Sequence, residues 1–260
     1  MNPLIAAFGL FGPRPTPPVL FWVVIGFAAI FAAFCIIFLV TCLWERQYLS
    51  GDVEPTSEPF PYKPSPYWTE TCAAARAAGL QHAGDFATSA NTSHVKGLMS
   101  LFFSQDRSIL VSVSSGSTAG AKLKKTVLWT RLGSGRVLES TDNPGIQDLS
   151  GVIERAVLLN AGVGELLSFH VQRILQSNAT ALAFNPNAAL QEYERTYLDR
   201  GARWVLQGLA YWVDPQQTSI RMTFRGALEQ LKQLFKQTSK LSEQQHRSHI
   251  RRADSRRIPG

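Results

Sequence analysis

The longest apolar stretch of the chain lies near its N-terminus. From Val19 to Trp44 no charged residue occurs, and Thr41 is nearly the only polar one. A helix over these 26 residues is about 39 Å long, more than the roughly 30 Å of a bilayer's hydrocarbon core. The pattern predicts a transmembrane helix over 19–44, tilted or overhanging at an interface. Trp22 and Trp44 are about 33 Å apart along such a helix and suit the two interfacial belts.

Beyond the helix the pattern changes to short periods. Residues 51–66 hold five prolines, which suppress helix and predict an extended linker over 45–66. An extended linker of this kind would hold the following domain tens of ångströms from the bilayer. Tyr67–Leu80 is alanine-rich and reads as a helix, with Gly79 near its end. Leu98–Phe103 and Ile109–Val113 read as strands joined by a turn at Asp106-Arg107-Ser108. Val127–Leu132 and Val137–Thr141 flank Gly133-Ser134-Gly135, a hairpin signal. Val152–Leu159 fits either a further strand or the start of a helix. Glu165–Gln176 and Pro186–Leu198 read as helices, and Leu209–Val213 with Ile220–Phe224 as a second hairpin. A last helix covers Ala227–Thr238, with Leu228, Leu231, Leu234 and Phe235 inward and Gln230, Gln233, Lys236 and Gln237 outward. The fold class expected is therefore α+β: a membrane helix, then a soluble domain with a mainly antiparallel sheet and packed helices. Its expected parts are an N-terminal flank (1–18), the helix (19–44), the linker (45–66), an α+β domain (67–180), a helix/hairpin/helix part (181–240) and a basic tail (241–260).

Other readings of the apolar run fit less well. A secretory signal peptide has a shorter apolar core and a small-residue cleavage site. Leu39-Val40-Thr41-Cys42 resembles a bacterial lipobox, but Thr41 is larger than the residue usual before the cysteine. Basic residues near the helix are Arg14 on one side and Arg46 and Lys63 on the other, which leaves the side of the soluble domain open. Gly26, Ala29 and Ala33 form a small-residue stripe through which a homodimer or a protein partner can pack.

Charge is concentrated at the other end. The net charge is +7, and residues 232–260 carry eight basic side chains against Glu243 and Asp254. Arg247, Arg251, Arg252, Arg256 and Arg257 are the candidates for contact with lipid headgroups or other phosphates. Of three cysteines only Cys72 lies outside the apolar run, so the domain has no internal disulfide.

Candidate chemistry is sparse. Gly116-Ser-Thr-Ala-Gly120-Ala-Lys122 has three residues between its glycines where a phosphate loop has four, and Leu123 follows the lysine, so a surface loop is expected. His246 and His249 lack a third metal ligand. His82, His94 and His170 are scattered, and Asp142 and Asp148 fit turn chemistry. Cys72 reads as a buried small hydrophobe, and Ser114, Ser115 and Ser117 have no G-x-S-x-G context. No catalytic residue, cofactor site or metal site is expected. Asn91-Thr92-Ser93 and Asn178-Ala179-Thr180 are glycosylation sequons, relevant only in a secretory lumen.

Residues 186–240 carry one resemblance. A helix leads to Leu206-x-Gly208-Leu209-Ala210, then a polar turn at Asp214, then Arg221-Met-Thr-Phe-Arg-Gly226-Ala227-Leu228. This order resembles the second half of a winged-helix domain. The resemblance implies nucleic acid as a partner, but the two helices that precede in that family have no counterpart, so no DNA-reading position carries over. The sequence therefore supports first a non-enzymatic, single-pass membrane module with the lipid bilayer as partner. A membrane-tethered nucleic-acid binder is the alternative, and an enzyme of a type without a familiar motif is the third reading.

Overall fold

The computed structural model describes residues 19–49, 53–88, 96–118, 121–143 and 148–236. The chain is mixed α and β. Helix α1 spans Val19–Trp44, and its segment Phe21–Trp44 is long and apolar enough to cross a membrane. The main sheet takes strands β2 (Val53–Thr56), β3 (Gln81–Thr88), β4 (Lys96–Phe103), β5 (Leu110–Thr118), β6 (Ala121–Leu132), β7 (Val137–Thr141) and β8 (Ile153–Val157) in that order. All neighbours are antiparallel except β7 and β8, and the short β9 (Ala181–Leu182) pairs with the end of β6.

Helices cover both faces of this sheet. On one, α2 (Pro66–Ala77) and α3 (Val163–Gln176) bury Trp68, Cys72, Val163 and Leu166 against Phe102, Val111 and Leu128. On the other, α4 (Ala189–Leu206) lays Tyr193 and Tyr197 edge-on against Trp129, over Met99, Leu101 and Leu110. Two covered faces explain why Leu98–Phe103 is apolar without alternation: every one of its residues is buried. Local signals fix the helix ends. Ser65 caps α2 by accepting from the Trp68 amide, Pro66 opens it, and Gly79 at φ +80° follows its end.

A smaller sheet joins α1 to the rest. Strand β1 (Gln47–Tyr48), three residues after α1, pairs with β11 (Ser219–Met222), which pairs with β10 (Ala210–Trp212). Residues 224–236 then form helix α5. Leu49, Trp204, Leu209, Ile220 and Met222 make this unit's core. Leu49 lies so close to α4 that any side chain at Gly201 would collide with its Cδ1 atom.

Several expectations change. The segment after α1 is extended, as its prolines require, but it is not a free spacer. Leu49 is buried, Arg46 donates to Ser219 and pairs with Asp214 at 3.3 Å, and β2 adds an edge strand to β3. Pro55 is tolerated there because an edge strand leaves one side unpaired. Further on, Phe60 packs edge-on against Trp68, and the Tyr62 hydroxyl donates to the Thr88 carbonyl. Gln230 was expected outward and is buried, accepting from the Cys42 thiol, while Phe235 is 40% exposed and meets Phe31 of α1 at 5.4 Å. Helix α5 therefore packs along α1, and the covering turns of α1 decide which of its side chains is inside. Within residues 152–159 the parallel strand β8 forms over Ile153–Val157, and β3 forms where the sequence pattern indicates no strand.

Candidate functional site

The end of the main sheet nearest the β5–β6 turn carries a one-signed charge cluster. Strands β5 and β6 run past the covering helices, and their register places side chains in two adjacent rows on the α2 face. Leu98, Ser115 and Lys124 form one row; Lys96, Ser117 and Lys122 form the next. The row between them, on the opposite face, is Gly97, Gly116 and Leu123. Gly97 has no room for a side chain, because a Cβ there would meet the Ser115 carbonyl and the Gly116 backbone. Lys63 arrives from the segment before α2, and Ser65, the cap of that helix, donates to Ser115 at 2.8 Å. The result is a groove of about 460 Å³ lined, among the described residues, by four lysines and three serines and by no carboxylate.

These lysines are solvent-exposed, and among the described residues none is in an ion pair. Lys124 lies over the Tyr67 ring at 5.4 Å. Through the sheet from the groove is a second hollow of about 380 Å³, where Met99, Ser114 and Lys125 meet Val53 and Tyr193. Like charges in neighbouring rows of a sheet repel, and an anion in the groove would offset that repulsion.

Four polar clusters elsewhere look chemical but are built as structure. In the first, the Cys72 thiol donates to Ser100, Ser100 donates to Asp85 at 2.6 Å, and His82 lies 2.9 Å from the same carboxylate. Cys72 is 2% exposed, and burial pushes its thiol up, away from the thiolate a nucleophile needs. In the second, His170 is fully buried between Thr130 and Ser140, and burial, then the Arg173 charge, lowers it to about 3. It is a neutral hydrogen-bonding spacer. In the third, Glu139 pairs with Arg155 at 2.6 Å and accepts from the Trp129 indole. Burial pushes the Glu139 carboxyl up, but Arg155 and then Lys125 overcome this and hold it below the usual carboxylate range. Tyr67 donates to Asp142, whose other oxygen accepts from the Thr126 amide, and burial raises the phenol.

The residues singled out from the sequence fall in different places. Trp22 and Trp44 are both on α1 and strongly exposed. Arg247, Arg251, Arg252, Arg256 and Arg257, with His246 and His249, lie outside the described residues, as do His94 and the Asn91 sequon. The Gly116–Lys122 stretch closes β5 onto β6, with residues 119–120 outside the described set. Among the described residues no group of three or more His, Cys, Asp or Glu side chains could hold a metal. The helix, hairpin and helix of the winged-helix resemblance are present as α4, β10–β11 and α5. However, α4 is packed between Trp129 and Leu49 and does not stand free to enter a groove. The lysine groove was missed because its members are scattered at 63, 96, 122 and 124. The one available signal was Lys-x-Lys in a strand, which puts both charges on one face. Compared with known proteins, the chain matches no family model, no curated sequence and no solved structure.

Proposed function

We propose that this protein is a non-enzymatic interaction module fixed to a membrane by α1 and held there in one orientation. The supporting observation is the junction. The last turns of α1 rest on α5 through Cys42 and Gln230, and three residues beyond α1 the chain enters a sheet with β11. Helix and domain are thus one packed body, joined by Leu49, Arg46 and β1 rather than by a flexible spacer. Such a connection presents fixed faces of the domain to the bilayer and to partners in its plane. Helix α5 packs along α1 from Cys42 back to Phe31 and so forms part of the same body.

The test uses the full chain in lipid nanodiscs, with spin labels as non-natural side chains at Val40 and Arg136. A narrow distance distribution is expected. A broad one, like that of a flexible tether, overturns the fixed-module reading, and turnover on a broad substrate panel overturns its non-enzymatic part. The second reading, a membrane-tethered nucleic-acid binder, draws on the α4–β10–β11–α5 order. It requires salt-sensitive DNA binding that is lost when residues 241–260 are removed.

A further inference from the structure

The lysine groove at the β4–β5–β6 end belongs to none of the structural clusters. We infer that it binds a phosphate group, as presented by the headgroup of an anionic phospholipid in the bilayer that holds α1; this rests on α1 being in that bilayer. Four observations carry it. First, Lys63, Lys96, Lys122 and Lys124 converge on one groove with no carboxylate among the described residues of its lining. Among the described residues these four lysines form no ion pair, whereas Arg131 pairs with Glu192 and Arg155 with Glu139. Second, the spacing suits an oxyanion. Lys96 and Lys122 are two strands apart, about 10 Å, and Lys122 and Lys124 are two residues apart, about 7 Å, so flexible ammonium groups can close on one phosphate. Third, Ser115 and Ser117 lie between the lysines with hydroxyl donors, which a phosphate's several acceptor oxygens can use.

Fourth, position favours a lipid as the source. Val53, in the row that runs through Thr88, Gly97 and Gly116, lies four residues after Leu49. It is therefore at most about 14 Å from the buried junction with α1. Leu123, in the same row on the β5–β6 ribbon, is 41% exposed and gives the groove an apolar rim. A lysine-lined groove with an apolar rim, on a sheet whose edge strand β2 follows the membrane helix by so few residues, matches an anionic headgroup.

The experiment compares amide exchange by mass spectrometry in the full chain reconstituted into neutral phosphatidylcholine vesicles and into vesicles with added phosphatidylglycerol. Exchange at residues 96–98, 115–117 and 122–124 should slow at least about fivefold with the anionic lipid. A variant with Lys63→Gln, Lys96→Gln, Lys122→Gln and Lys124→Gln should lose this protection, since each lysine near an anionic surface contributes about fivefold. Its unchanged melting temperature will show that it folds. A second arm adds millimolar inorganic phosphate to the neutral vesicles. Protection there that is lost in the variant supports the phosphate chemistry but assigns it to a soluble source. Protection that persists in the variant, protection by duplex DNA alone, or none under any condition overturns the proposal. The distance measurement between Val40 and Arg136 reports separately on the fixed module, so the two ideas fail distinguishably.

Discussion

The two flanks of the main sheet treat charge in opposite ways. On the β7–β8 flank, Glu139 and Arg155 are almost fully buried and matched, and Arg173 donates to the backbone of Glu139 and of Glu154. At the β4–β5–β6 end, four lysines share one groove and, among the described residues, no acid lines it. Both sets belong to the same sheet, so the difference is not one of backbone but of solvent. A charge inside must be paired, because its desolvation costs several kcal/mol. A charge at the rim keeps its water and can wait for a ligand. The lesson is that matched groups mark architecture here, and unmatched ones mark where something binds.

That contrast can be broken most sharply at Glu139. Glu139→Ala removes the carboxylate paired with the buried Arg155 and should cost about 3–5 kcal/mol, read from urea unfolding of the full chain in detergent. The fourfold lysine-to-glutamine variant, measured alongside, should stay within about 0.5 kcal/mol of the parent. Equal effects would erase the distinction between the flanks. Next in size is the junction: Leu49→Ala removes a side chain packed into Trp204 and Ile220 and should cost about 2–4 kcal/mol. The same substitution should broaden the Val40–Arg136 distance distribution.

Acid should sharpen the comparison further. His170 has a folded value of about 3, below its ordinary 6.5, so the unfolded chain takes up the proton first as pH falls. Its contribution is complete above about pH 6.5 and is lost between there and pH 3, at no more than about 1.4 kcal/mol per pH unit. Denaturant midpoints at pH 7.5 and pH 5 will show this slope, and His170→Gln should flatten it. The smallest effect is expected at Arg46, whose side chain is 36% exposed. Arg46→Ala should cost less than about 1 kcal/mol, and the loss should shrink at high salt.

Legibility in the sequence followed periodicity. The α1 run, the Gly133-Ser134-Gly135 hairpin and helix α3 were readable because each carries its own pattern. Strand β3 was not, since Gln81-His-Ala-Gly-Asp has no apolar alternation; it forms because β4 needs a partner on that side. The candidate site was invisible for a related reason. Lys96 and Lys122 are neighbours only through the register of β4, β5 and β6, and nothing near either residue in sequence reports that register.

By itself, the sequence determined that the chain has one long apolar helix, an α+β domain with a mainly antiparallel sheet, and no familiar catalytic motif. Those properties depend on composition and on contacts a few residues long. Tertiary structure decided the rest: that the proline-rich segment is sewn to the domain, that Gln230 turns inward onto Cys42, and that four distant lysines line one groove. Each of these depends on pairing between residues tens of positions apart, which strand register and helix packing fix only once the chain is folded.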